Sequence, residues 1–329
     1  MDNQLKKNSQ ILDISKIVIF LTIFVLILKG LSPIFSPKNN SKAYGIRYDY
    51  ARGFYGENPQ TIDALFIGNS DLYSAMNPLQ LWHDYGYTSY VCSEPYQNVF
   101  GAYSMLKEVL TCQSPQVIFM EVDSFFSKKE SDDIDAAINV ALKSSFPLFE
   151  YHDRWKSLKS EDFHQDTYSY NTRIRAKGYL YHDNVEPNVE GFSYMEKKRN
   201  TNITRISRMY LKKFIQLAKE NNAEVVFVWY PSATTGSQGR SKTIKELGEE
   251  FNVPVIDFNI NTYDTEFDWL TDTRDGGNHL NYNGATKMTK YIGKYIDDHY
   301  NLADHRKNPS YSQWNKDYEE FMRENKIAY

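Results

Sequence analysis

Asp63-Ala64-Leu65-Phe66-Ile67-Gly68-Asn69-Ser70-Asp71 reads as a buried strand that ends in a glycine turn and presents a serine hydroxyl. A short apolar run bounded by Asp and Gly suits a strand covered on both faces. Similar runs with turn signals after them follow at 89–92, 117–122, 224–229 and 255–258. Helical spacing falls between or after them. It is carried by Val99, Ala102, Tyr103, Leu106 and Leu110 in 98–111, and by Ile203, Ile206, Met209, Tyr210, Phe214 and Leu217 in 201–221. Residues 238–251 and 283–298 repeat the pattern. Alternating strands and helices predict an α/β fold, a central parallel sheet with helices on both faces. Active sites in such sheets lie at the carboxyl ends of the strands, which is where Ser70 falls.

A second stretch answers the first. Asp275-Gly276-Gly277-Asn278-His279-Leu280-Asn281-Tyr282-Asn283-Gly284-Ala285 reads as a loop that delivers a carboxylate and an imidazole just ahead of a helix. It follows the fifth strand, so it reaches the same rim as Ser70. A serine hydroxyl becomes a nucleophile when a histidine takes its proton. Ser70 is the candidate nucleophile, His279 the base and Asp275 its orienting carboxylate. The same residues also suit plain structural roles. Ser70 or Asp71 fits a helix N-cap, Asp275 fits a turn before two glycines, and Asn281 fits a helix cap or turn.

With 329 residues and 41% hydrophobic content, the chain can bury a substantial core in one large domain or two small ones. A net charge of -4 argues against a nucleic-acid partner, which favours a basic surface. The 26 Tyr and 19 Phe are read chiefly as core. Two isolated cysteines, Cys92 and Cys112, make neither a disulfide framework nor a thiolate metal site, and read as free thiols. No His-x-x-x-His or Cys-x-x-Cys pattern occurs, no glycine loop cradles phosphate, and no Rossmann fingerprint follows the first strand. No metal and no cofactor is expected.

Residues 17–28 are apolar except for Thr22, and Lys29-Gly30-Leu31-Ser32-Pro33-Ile34-Phe35 continues the run. A span takes about 20 residues, and Lys29 can snorkel, so 17–35 is expected to anchor the chain in a bilayer. No small-x-small cleavage site or lipobox cysteine follows. Lys6, Lys7 and Lys16 place residues 1–16 in the cytoplasm and the rest outside. Residues 36–59 read as a linker and 60–300 as the extracytoplasmic domain. Within it, the charged, Tyr-rich segment 124–200 breaks the alternation and reads as an insertion that covers the site. Its Lys197-Lys198-Arg199 run reads as a solvated face. The tail 301–329 carries Trp314, Tyr318 and Phe321 on one helical face, a pattern for docking on the domain.

The Gly-x-Ser turn and the Asp/His loop resemble the SGNH (GDSL-type) hydrolase superfamily, which implies a three-layer flavodoxin-like fold. The resemblance is closer to one branch, the single-anchor extracytoplasmic proteins that accompany membrane-bound O-acyltransferases in bacteria. It runs through Phe66-Ile67-Gly68-Asn69-Ser70, Cys92-Ser93-Glu94-Pro95-Tyr96-Gln97, Tyr151-His152-Asp153-Arg154-Trp155, Lys177-Gly178-Tyr179, Tyr230-Pro231-Ser232 and the His279 motif. Two departures stand out. The superfamily spaces its acid and base as Asp-x-x-His, whereas Gly276 stands three before His279 and Asp275 four before, with Asp272 as a second option. Ser93 also occupies the place of an oxyanion-hole glycine, and no asparagine follows the third strand. The branch resemblance implies Gln97 as an amide donor instead. His152 and Arg154 are candidates for substrate contact, with a salt bridge within the insertion as the alternative for Arg154. The resemblance implies transfer of an acyl group, acetyl by preference, to a cell-envelope polysaccharide with a membrane O-acyltransferase as partner. An O-acetyl esterase and a non-catalytic assembly factor are the alternatives.

Overall fold

The computed structural model describes residues 2–164, 169–261 and 265–327, the side chains of 2–9 and of Asn261 excepted. Two compact units divide the chain. One joins Met1–Ile46 to Ile138–Tyr170, and the other joins Arg47–Ala137 to Asn171–Tyr329.

The second unit holds five strands, β1 (Ala64–Gly68), β2 (Ser89–Ser93), β3 (Val117–Glu121), β4 (Glu224–Trp229) and β5 (Val255–Asp257). They form one parallel sheet in the order β2-β1-β3-β4-β5. This is the flavodoxin-like order, with its topological switch point beside β1. Register aligns Gly68 with Ser93, Glu121 with Val228 and Trp229 with Asp257, so the carboxyl ends share one rim.

The helices in chain order are α1 (Asp2–Phe35), α2 (Ser70–Ala75), α3 (Pro78–Tyr85), α4 (Val99–Val109), α5 (Glu130–Ser145), α6 (Leu148–Tyr151), α7 (Arg205–Glu220), α8 (Gln238–Phe251), α9 (Phe258–Asn261), α10 (Tyr282–His299) and α11 (Ser312–Glu324). Side chains cap most of those that flank the sheet: Asn69, Asn77, Asn98, Thr204, Ser237 and Asn281 each accept a backbone N–H. Ala64, Phe66, Val91, Phe119, Val226 and Val228 project from one sheet face into a core shared with Met288, Ile292 and Ile296 of α10. The alternate residues Leu65, Ile67, Ile118 and Phe227 are equally buried and, by the two-residue period, face the other side, where α4 packs on α7. Burial on both faces is why each strand reads as a continuous apolar run.

The expected insertion 124–200 is not one body. Residues 138–170 belong to the unit with α1, and 171–200 belong to the sheet unit. Its first part contains α5, which the charge-rich sequence hid. Glu130 accepts the backbone N–H groups of Arg205 and Ile206 at 2.9 Å each, and Asp133 accepts the hydroxyls of Thr204 and Ser207. Those acids therefore hold the first turn of α7. Arg199 likewise is not part of a solvated run. It donates to the carbonyls of Gly236 and Ala233 at 2.8 and 2.9 Å. In α11, Trp314 and Phe321 are buried, and Trp82 donates from Nε1 to Asn315 at 2.9 Å. Cys92 is buried, Cys112 half-buried, and both are free.

In the first unit, α1 is continuous from residue 2 rather than starting near 17. Its stretch Gln10–Phe35 has 26 residues, mean hydropathy 2.6, and only 6% of its most apolar window buried. By length and composition this helix can cross a bilayer. Its end is tied down by Arg154, which donates to the Phe35 carbonyl at 2.7 Å, and by Tyr170, which donates to the Pro37 carbonyl at 2.8 Å.

Candidate active site

Ser70 is the first residue of α2, two residues past the end of β1. The N-cap is Asn69, whose Oδ1 accepts from the Asp71 backbone at 2.9 Å, so the Ser70 hydroxyl is not used for capping. Ser70 is half-buried. The turn is tight for a packing reason. A Cβ on Gly68 would lie 2.3 Å from the Glu121 Cβ, so only glycine fits between β1 and β3 there. Asn69 also donates through Nδ2 to Asp123 at 3.2 Å.

The His279 loop is built by its own backbone. Thr273 and Leu280 form an antiparallel bridge, and Arg274 donates its N–H to the His279 carbonyl at 3.1 Å. Gly276 and Gly277 take φ values of +70° and +93°, a left-handed pair that suits glycine. This bend brings Asp275 back over His279. Its Oδ1 accepts the His279 backbone N–H at 2.7 Å, and its Oδ2 lies 2.6 Å from Nδ1. The extra residue between acid and base is thus absorbed by the turn. Asn278 Nδ2 also lies 2.9 Å from Nδ1. A carboxylate attracts the Nδ1 proton and an amide N–H repels it, so Asp275 selects the tautomer that leaves Nε2 free to act as base. Burial pushes the Asp275 carboxyl up, but the two bonds from His279 outweigh it and hold the carboxyl below its usual range.

Asp272, the second option, is elsewhere engaged. It is buried and accepts from the Asp268 backbone at 2.8 Å, from Thr271 at 2.9 Å and from Lys287 Nζ at 2.7 Å. Asn281 is the N-cap of α10.

The two distant segments meet. Arg274 donates from its guanidinium to Ser74 Oγ of α2 at 3.0 Å, across 200 residues of chain. His279 Nε2 faces the first turn of α2, with Asp71 Oδ1 3.6 Å away. No hydrogen bond joins Ser70 to His279 among the described residues. The imidazole is oriented on one side and turned toward the serine turn on the other.

The remaining candidates separate. Ser93 is fully buried, and its hydroxyl donates to the carbonyls of Gly68, at 2.7 Å, and Asn69. It braces the turn that carries Ser70, and its hydroxyl proton is already engaged there rather than free for an oxyanion. Gln97 is buried beside it. Its Oε1 accepts from the Glu94 backbone at 3.0 Å, which leaves Nε2 as its donor end. Arg154 takes the salt-bridge alternative. It is buried and bonded to Asp162 at 2.7 Å, so it is not a free substrate contact. His152 is exposed, 3.6 Å from Asp153 in the same unit.

Three residues near the triad escaped the sequence reading. Asp71 had been read only as a cap. Arg274 sits beside Asp275 with no motif to mark it. The His182 carbonyl accepts the Tyr282 N–H at 2.7 Å, and burial, then Arg274 and His279, push its ring below the usual range. The segment 171–200 therefore supports the loop, also through Glu186, which pairs by backbone with Thr273 and Gly276 at 3.0 and 3.1 Å. Among the described residues no group of three or more His, Cys, Asp or Glu is placed to hold a metal ion.

No family model and no curated protein matches the chain. Solved structures similar to it include an acetyl xylan esterase, at 14% identity over 71% of this chain and 100% of the other, with TM-score 0.37. A lipase/acylhydrolase from Enterococcus faecalis matches at 14% identity over 72% and 96%, with TM-score 0.36. The psychrotrophic esterase EstA from Pseudoalteromonas sp. matches at 10% identity over 72% and 97%, with TM-score 0.38. Likeness this low carries no argument about chemistry, which rests on the residues themselves.

Proposed function

We propose that this chain is an SGNH-type serine acyl-transfer enzyme, anchored by α1 with its sheet unit outside the cell. It moves an acyl group, acetyl by preference, to a cell-envelope polysaccharide alongside a membrane O-acyltransferase. The observation that carries the reading is the Asp275–His279 pair at 2.6 Å, with the other ring nitrogen turned toward the turn that bears Ser70. Lys6, Lys7 and Lys16 ahead of the apolar stretch support a cytoplasmic N-terminus.

The steps follow from the geometry. Asp275 holds the Nδ1 proton, so Nε2 accepts the Ser70 proton as Oγ attacks the ester carbonyl. Gln97 Nε2 is the side-chain donor on the neighbouring strand end for the developing oxyanion. The leaving alcohol takes the proton from Nε2, and an acyl-serine remains. A sugar hydroxyl then gives its proton to Nε2 and attacks the acyl carbon, and Ser70 Oγ leaves with that proton.

The test is incubation of the full chain in nanodiscs with an acetylated oligosaccharide and a second, unacetylated one. An acetyl group on Ser70 and its passage to the second sugar are expected. Release of acetate alone makes the protein an esterase. An unmodified Ser70 with neither product contradicts the reading and leaves an assembly role.

A further inference from the structure

We propose that Asp71 is a second carboxyl partner of His279, sharing a proton with Nε2 in the resting site, so that Ser70 is activated only once that proton leaves. This rests on the reading of His279 as the base.

The geometry is specific. The imidazole lies between two carboxyls, Asp275 on Nδ1 at 2.6 Å and Asp71 on Nε2 at 3.6 Å. Nε2 is the nitrogen that has to serve the serine. The Asp71 side chain is only 7% exposed. Its backbone N–H is fixed on Asn69, which holds the residue at the second position of α2. No N–H or O–H of the described residues hydrogen-bonds its carboxyl, and a bare buried carboxylate is costly. It escapes that cost by binding a proton or by pairing with a cation.

The charged surroundings limit the choice. Tyr73 faces Asp71 from its own helix, Glu121 and Asp123 from the end of β3, and Arg274, Asp275 and His279 from the loop before α10. Burial, followed by Asp123 and Asp275, pushes the Asp71 carboxyl up, and Arg274 opposes them. His279 in turn faces Asp275, Asp71 and, near Arg274, His182. A proton held between the Asp71 carboxyl and Nε2, besides the one on Nδ1, removes that cost.

The proton accounting is simple. As pH rises, the shared proton goes to solvent and the Nε2 lone pair is exposed. Nε2 then accepts the Ser70 proton, and the imidazolium that forms has a carboxylate at each nitrogen. Asp71 is a positioning residue in this scheme, acting through His279.

The test is the pH response of the His279 ring in the full chain, read by NMR with labelled histidine and assigned by its loss in His279→Gln. Asp71→Asn is expected to move the midpoint down by about one pH unit or more, the effect of removing a carboxylate within reach. Asp71→Glu restores it. The same displacement is expected in the Ser70→Ala background, so a failed catalytic reading leaves this result standing. With an active enzyme, the acid limb of kcat/KM on p-nitrophenyl acetate moves with it. A midpoint unmoved by Asp71→Asn overturns the proposal, even where kcat falls.

Discussion

Two clusters of buried charge in the sheet unit are built on opposite principles. In the first, Lys177 is fully buried, with Nζ 2.7 Å from both Glu57 and Asp317 and 4.3 Å from the Trp314 ring centre. Arg173 bonds the same Asp317 and lies 3.5 Å from Glu57. Two acids meet two bases, and the knot ties α11 to the segment after residue 171. In the second, Asp71, Glu121 and Asp123 crowd the rim behind Ser70. Glu121 Oε2 and Asp123 Oδ1 are buried without a hydrogen bond of ordinary length, and Arg240 stands 3.7 Å from the latter. Burial drives all three carboxyls up. A balanced cluster holds structure together. An acid-rich one costs stability, and its location beside His279 is the reason to assign it to chemistry.

The largest effects are expected at the rim and in activity. Ser70→Ala should reduce acyl transfer by about 10⁴-fold or more, with the folded state unchanged by circular dichroism. Asp275→Asn should cost about 10⁴-fold in kcat by selecting the wrong tautomer. Asp272→Asn should instead lower the thermal midpoint with far less loss of kcat, because its partners are Lys287 and backbone.

The balanced knot should respond in stability alone. Lys177→Met leaves Glu57 and Asp317 with Arg173 but without their buried cation and should cost about 3–5 kcal/mol in denaturant unfolding. Adding Glu57→Gln and Asp317→Asn to it should recover much of the loss. If Lys177→Met spares stability but removes activity, the contrast between the clusters is wrong.

Smaller effects sharpen the contrast. Gln97→Ala should lower kcat by about 100-fold with KM little changed, as for one oxyanion donor. Glu121→Gln should stabilise the protein at neutral pH. The sign follows from its raised carboxyl. The native state keeps a proton that the unfolded chain loses near pH 4.3, so this contribution to stability falls as pH rises from there toward the raised value. Unfolding free energy measured across that window should slope less steeply in the variant.

The sheet was legible because every strand is buried on both faces and so reads as an apolar run between turn signals. The placement of Ser70 and His279 was legible because a strand-end serine and a pre-helix histidine share one rim in a parallel sheet. The rest depended on contacts that spacing does not encode. Asp275 and Asp272 differ only in what else surrounds them, and Lys287, 15 residues away, takes the latter. Ser93 looks like a donor until the Gly68 carbonyl is found 2.7 Å from its hydroxyl. Residues 124–200 look like one insertion, since composition does not report that 171–200 returns to support the His279 loop. Asp71 was read as a cap because Asn69 and Asp71 are equally good capping types, and the backbone chose Asn69.

The most direct test of the central claim is labelling of the full chain with a serine-directed fluorophosphonate, followed by peptide mass spectrometry. The account predicts a single adduct on Ser70, lost in His279→Gln and strongly slowed in Asp275→Asn. A folded protein that stays unlabelled at Ser70, or labels equally without His279, would contradict it.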